Sequence, residues 1–250
     1  MKKIFLILIL TSSLFAQIPH WFKNLPESPP GVYLATGITG KYFNMKTARD
    51  IAVHQAVKSI AKQKSVDLIF ELTTKSDGRF IIGRPDFEEI YEEIYYTTIM
   101  ENHKIIDSVF THESCFYLIQ YPADAKPVKV NHGLVAWGEK PGWVLQSPAA
   151  PDFHYGIGAV ARYRRTTRGW QDADALSRFD LGKALFLEVE TIREEIRTNN
   201  YTITKTFSEQ FYNLTLKNCA VIKRWYDAET DQYYSLSHLP KKSFNINLSN

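Results

Sequence analysis

The sequence predicts an α+β protein made of two tandem β-α-β-α-β-β domains, each a small mixed sheet with helices packed on one face. Three observations lead there: an internal repeat, an amphipathic helical stripe in each copy, and a closing pair of strand-like runs in each copy. The 250 residues accommodate two domains of about 110 to 125 residues each. Apolar residues make up 44% and charged residues 23%, which separates the chain from disordered, collagen-like and polytopic membrane proteins. The formal net charge is +3, or +1 once Lys2 and Lys3 of the leader are set aside. That is no basic footprint for nucleic acid.

Residues 1–16 read as a signal peptide. Lys2 and Lys3 form its positive end, Ile4 to Leu10 its apolar run, and Leu14-Phe15-Ala16 a cleavage site before Gln17. The apolar run is shorter than the ~20 residues of a bilayer-spanning helix, so export is expected rather than a transmembrane anchor. The leader contains no cysteine, so no lipid anchor is expected. Domain boundaries follow the repeat: 17–122 for the first domain, 123–140 for a linker around Lys126-Pro127-Val128-Lys129, 141–240 for the second domain and 241–250 for a C-terminal tail.

Each copy opens alike. Pro19-His20-Trp21 recurs as Pro141-Gly142-Trp143, Pro26 and Pro148 follow at the same distance, and the strand-like Val32 to Ile38 recurs as Phe153 to Gly158. A helix follows in each. Ala48, Ile51, Ala52, Ala56 and Ile60 share one face of the first, with Asn44 or Thr47 as its cap. Leu181, Ala184, Leu185, Val189, Ile192 and Ile196 make the stripe of the second. Next come strands near Val66 to Leu72 and Tyr201 to Thr204, then shorter helices around Phe87 to Tyr96 and Phe207 to Leu214. The copies close on hairpins, Lys104–Phe110 with Cys115–Tyr121 and Cys219–Trp225 with Gln232–Pro240, the second turning at Asp227–Asp231.

The Pro-x-Trp opening, the glycine after a short strand, the alanine-rich helix and the closing run from Trp225 through Gln232 to Pro240 resemble the LPP-twenty lipoprotein family. That family is similar to the N-terminal domain of flagellar assembly protein T. The resemblance covers nearly the whole chain after the leader, as two tandem copies, and departs from the family in lacking a lipidated cysteine. It implies a bacterial envelope or secreted role, flagellum- or outer-membrane-associated, and no catalysis.

The chemical motifs point the same way. Gly156-Ile157-Gly158-Ala159-Val160-Ala161 imitates a dinucleotide fingerprint, but the polar run Arg162 to Gly169 delays the helix whose N-terminus would receive the pyrophosphate. Tight strand–helix packing accounts for the glycine that recurs at Gly37. Asp86, Glu88, Glu89, Glu92 and Glu93 read as the outward face of a helix that buries Phe87, Ile90, Tyr91 and Ile94. Cys115 and Cys219 sit in strand-like runs as two buried thiols. Neither a metal-ligand spacing nor a serine nucleophile elbow stands out. Most aromatics are expected in the core, Trp21 and Trp143 packing over sheet ends, with an exposed contact strip as the alternative for Tyr91, Tyr95 and Tyr96.

The expected function is therefore that of a non-enzymatic exported binding or assembly protein, without catalytic, cofactor-binding or metal residues. The alternative is an exported hydrolase acting on a wall polymer or peptide at an inter-domain cleft. The candidate partner contact is Arg162, Arg164, Arg165 and Arg168 with Tyr163 and Trp170, suited to an anionic envelope protein, flagellar protein, lipid or wall surface. The expected location is the periplasm, the outer-membrane periphery or the medium.

Overall fold

The computed structural model describes residues 17–40, 44–74, 80–82, 87–161, 166–198, 209–241 and 244–247. The first half runs β1 (Ile18–Pro19), α1 (His20–Lys23), β2 (Tyr33–Gly40), α2 (Met45–Lys64), β3 (Val66–Thr74), β4 (Phe80–Ile82), β5 (Glu88–Ile90), α3 (Glu93–Glu101), β6 (Lys104–Phe110) and β7 (Ser114–Tyr121). After β8 (Leu134–Val135) the second half runs α4 (Gly142–Leu145), β9 (Phe153–Ala161), α5 (Thr166–Thr198), β10 (Glu209–Leu216), β11 (Ala220–Asp227), β12 (Gln232–Pro240) and β13 (Phe244–Asn247). The protein is a mixed α+β chain of several small antiparallel sheets and few helices.

Two of these sheets have the same plan. Strands are ordered β2-β7-β6 in one and β9-β12-β11 in the other, with α2 laid on β2 and β7 and α5 on β9 and β12. Both hairpins carry a register shift at the same place, between Ile105 and Asp107 in β6 and between Val221 and Lys223 in β11. The recurring glycine has a steric cause. A Cβ on Gly37 would lie 1.8 Å from the Ala52 carbonyl oxygen, and one on Gly158 would lie 2.0 Å from that of Ala173. In each half the helix residue follows its glycine by fifteen positions, so strand and helix backbones touch at equivalent points. Gly156 is equally crowded, its Cβ position 2.2 Å from the Ser177 carbonyl oxygen. Helix backbone thus occupies the space that a bound nucleotide would need.

Four expectations are corrected. Every strand pair among the described residues is antiparallel, so these sheets are not mixed. The strand after each long helix does not return to its own sheet. Instead β3 and β10 pair with each other, Val66 opposite Leu216 and Leu68 opposite Leu214, with β13 outside β10 and β4 and β5 along β3. The segment read as a second short helix near Phe207 to Leu214 is strand from Glu209: Leu214 and Leu216 are buried with Thr215 less so, a period of two, and β3 and β13 satisfy both of its edges. Likewise Glu88–Ile90 is strand against β3, and the helix begins only at Glu93. The strand expected at Tyr201 to Thr204 and the leader at 1–16 lie outside the described residues.

Packing follows the predicted stripe in α2 and, in α5, at Leu181 and Leu185, whereas Ala184 is exposed and the side chains of Val189, Ile192 and Ile196 lie outside the described ones. Ala48, Ala52, Ala56 and Ile60 are fully buried against Ile99 and Ile119, and the Asn44 side chain caps α2 by accepting the Lys46 N–H at 2.9 Å. Leu181, Leu185 and Phe186 of α5 meet Leu68, Leu214 and Leu216 from the shared sheet. A third core joins the halves: Trp21, Phe22, Ile38 and Leu118 with Val160, Trp170 and Tyr233. Trp21 is buried and donates to Asp107 Oδ2 at 2.7 Å, whereas Trp143 is half-buried. Residues 123–140 form a strap. Within it β8 pairs with β1, the Lys23 ammonium donates to the Ala136 carbonyl at 3.1 Å, and Trp137 stacks on Trp170 at 5.2 Å. Among the described residues no helix is long and apolar enough to cross a membrane.

Candidate functional site

A cleft of about 940 Å³ opens between the halves. Helical spacing builds its walls. Gln55, Lys58, Ser59 and Lys62 recur at three- and four-residue steps along α2, away from the alanine stripe, and Arg168, Gln171, Asp172, Ala175 and Arg178 do so along α5. Phe22, Ile38, Phe87 and Val160 add apolar surface between them.

The floor is ionic. Arg224 on β11 forms a bidentate pair with Asp174, 2.7 Å from Nη2 and 3.0 Å from Nε, and its Nη1 donates to Thr36 Oγ1 at 2.9 Å across to the first half. Asp174 also accepts the Ser235 hydroxyl at 2.6 Å. Next to it Arg178 donates to Glu89, 2.5 Å from Nε and 3.1 Å from Nη2, and Lys62 brings its ammonium to the same carboxylate. Burial alone would raise the Glu89 carboxyl; the facing Arg178 and Lys62 charges overcome it and hold the group down at about 2. Burial works against the Arg178 charge too, but Glu89 raises it on balance. At Lys62 burial, joined by the neighbouring Arg178 charge, outweighs Glu89 and lowers the ammonium.

Lys62, Asp174, Arg178 and Arg224 are not among the residues that the sequence singles out, and Glu89 is misplaced there. Glu89 was expected on an outward helical face. As the middle residue of a three-residue strand it instead points inward, its side chain 5% exposed, while Glu88 and Ile90 face outward. A signal for the others lies in the repeat itself. At the fifteen-residue alignment of the glycines, Asp174 and Arg178 occupy the positions of Val53 and Val57, which are buried in α2. Charged residues on a face that is apolar in the other copy mark a polar interior.

Of the predicted contact residues, Arg168 lies at the rim, 64% exposed and paired with Asp172 at 3.0 Å. Trp170 is in the wall but buried, held between Phe22, Trp137 and Tyr233 at 5.4, 5.2 and 5.0 Å, so it packs the core instead of offering a surface ring. Arg162, Tyr163, Arg164 and Arg165 lie outside the described residues. The tyrosine strip also turns inward: Tyr91, Tyr95 and Tyr96 pack on the first core, and the Lys64 ammonium sits over the Tyr95 ring at 4.9 Å. Among the described residues no group of three or more His, Cys, Asp or Glu could hold a metal. Cys115 and Cys219 are buried thiols. In comparisons with known proteins, no family model, no curated protein and no solved structure matches this chain.

Proposed function

We propose that this chain is a non-enzymatic, exported binding or assembly protein of a bacterial envelope, two tandem LPP-twenty-like copies acting through the surfaces where they meet. The observation that carries this reading is the ionic floor of the cleft. Its carboxylates are committed to fixed cationic partners: both Glu89 oxygens accept from Arg178, and both Asp174 oxygens accept from Arg224. A general acid or base needs a proton that comes and goes near working pH, and Glu89 at about 2 stays ionised. Shared strands and a shared aromatic core support a rigid two-copy platform. The leader and the resemblance support export and an envelope, flagellar or outer-membrane setting.

Cell fractionation and intact mass test the reading together. The expected product is an exported chain beginning at or near Gln17, with no lipid adduct, crosslinking to an envelope or flagellar component. A cytoplasmic chain that retains residues 1–16 overturns export. The competing hydrolase reading draws on the cleft itself, which has room for a polymer segment. Turnover of wall fragments or peptides that co-purifies with the folded protein would establish it instead.

A further inference from the structure

We propose that the cleft between α2 and α5 binds a small anionic group, a carboxylate or a phosphate, against Lys62 and Arg178. The inference deepens the binding-protein reading and rests on it only in taking the cleft as the occupied surface. Its basis is a charge imbalance. On the floor three cations, Lys62, Arg178 and Arg224, meet two carboxylates, Glu89 and Asp174. Asp174 lies close enough to favour both charges, but its two oxygens are held by Arg224, so Lys62 and Arg178 hydrogen-bond to one carboxylate between them. Their side chains are only 22% and 5% exposed. An excess charge withdrawn from water is costly unless something opposes it, and burial already disfavours the Lys62 ammonium despite Glu89.

The excess opens onto the cleft and not into a sealed core, since both cations line it. Along α2 the approach is furnished with donors. Gln55 spends its carbonyl oxygen on the Ile38 N–H at 3.4 Å and keeps its NH2 group, Ser59 supplies a hydroxyl, and exposed Lys58 a second ammonium. On the opposite rim Asp172 is neutralised by Arg168 at 3.0 Å, so Glu88 is the carboxylate that an incoming anion meets at the mouth. A carboxylate matches the imbalance of one unit. A phosphate, with more charge, would draw in Lys58 as well.

The test titrates the full exported chain at low ionic strength with acetate and with inorganic phosphate, and with chloride at matched ionic strength. It follows tryptophan fluorescence, Trp170 standing in the cleft wall, and the unfolding midpoint. A saturable response beyond that of chloride is expected. Lys62→Gln, which leaves the Glu89–Arg178 pair in place, should weaken binding by about tenfold or more, while Lys62→Arg should restore it. Lys58→Ala should weaken phosphate more than acetate if phosphate is the true class, and neither if a carboxylate is. A wild-type response no different from chloride overturns the proposal whatever the variants do, as does Lys62→Gln binding with wild-type affinity. Export and envelope crosslinking are read separately, so either can fail alone.

Discussion

Arg178 on α5 and Glu89 on β5 meet through two hydrogen bonds, 2.5 Å from Nε and 3.1 Å from Nη2, although 89 residues separate them in the chain. The pair joins the two halves of the chain. Beside it Arg224, held by Asp174 of its own half, reaches across to Thr36. The second half thus reaches the first through Arg178, at the position where the first half has Val57, and through Arg224, which Asp174 holds at the position of Val53.

Removing the shared carboxylate should be costly. Glu89→Ala leaves Arg178 and Lys62 without their acceptor in a buried setting, and a loss of about 3–5 kcal/mol is expected. Urea unfolding of the variant against wild type measures it. A loss below about 1 kcal/mol would mean that water reaches the pair and that it behaves as a surface bridge.

The same group sets an acid response. The Glu89 carboxyl falls from an ordinary 4.5 to about 2 on folding, so its stabilisation is complete above about 4.5 and disappears as pH falls through about 2. The amount is on the order of 3 kcal/mol. Stability of wild type and Glu89→Gln measured from neutral pH downward should converge within that window. Curves that stay parallel to the lowest pH would refute the assignment.

Backbone contact at the two glycines predicts a sharp contrast. Gly37→Ala and Gly158→Ala force a methyl to within about 2 Å of a helix carbonyl oxygen, and each should cost about 3 kcal/mol or more. Gly142→Ala meets nothing within 4 Å and should stay within about 0.5 kcal/mol of wild type. Thermal unfolding of the three variants reads the difference.

The cysteines should be silent in the native state. Cys115 and Cys219 are buried, and burial pushes the Cys219 thiol up to about 12. Alkylation at mildly alkaline pH should be negligible until denaturant is added, after which both positions react. Rapid native labelling of Cys219 would show that the β10–β11 corner opens.

The arginine cluster of the sequence allows a test of partner binding apart from the cleft floor. Replacing Arg162, Arg164 and Arg165 by Ser should leave the melting temperature nearly unchanged, because the corresponding stretch of the first half carries only Lys41 and Lys46. Retention by the envelope fraction should weaken, and more so at low salt, where screening is least. Retention unaltered at low salt returns these residues to a solvated loop.

Local patterns determined much of the architecture. The alanine stripe from Ala48 to Ile60, the closing hairpins and the recurrent glycine are short-range signals, since a helix or hairpin declares itself through residues a few positions apart, and all three stand in the structure. Tertiary structure alone decided where the odd strands went. Nothing within Val66–Thr74 or Glu209–Leu216 says that each will pair with the other instead of returning to its own sheet, because a strand's pattern specifies a buried face and not a neighbour. The same holds for residues 123–140, whose sparse apolar content reads as a linker until Trp137 finds Trp170. It holds most of all for the cleft floor. Lys62, Glu89, Asp174, Arg178 and Arg224 come from four separate elements, and an acidic residue in a polar run looks solvated until folding removes the water around it and leaves only the opposite charge to replace it.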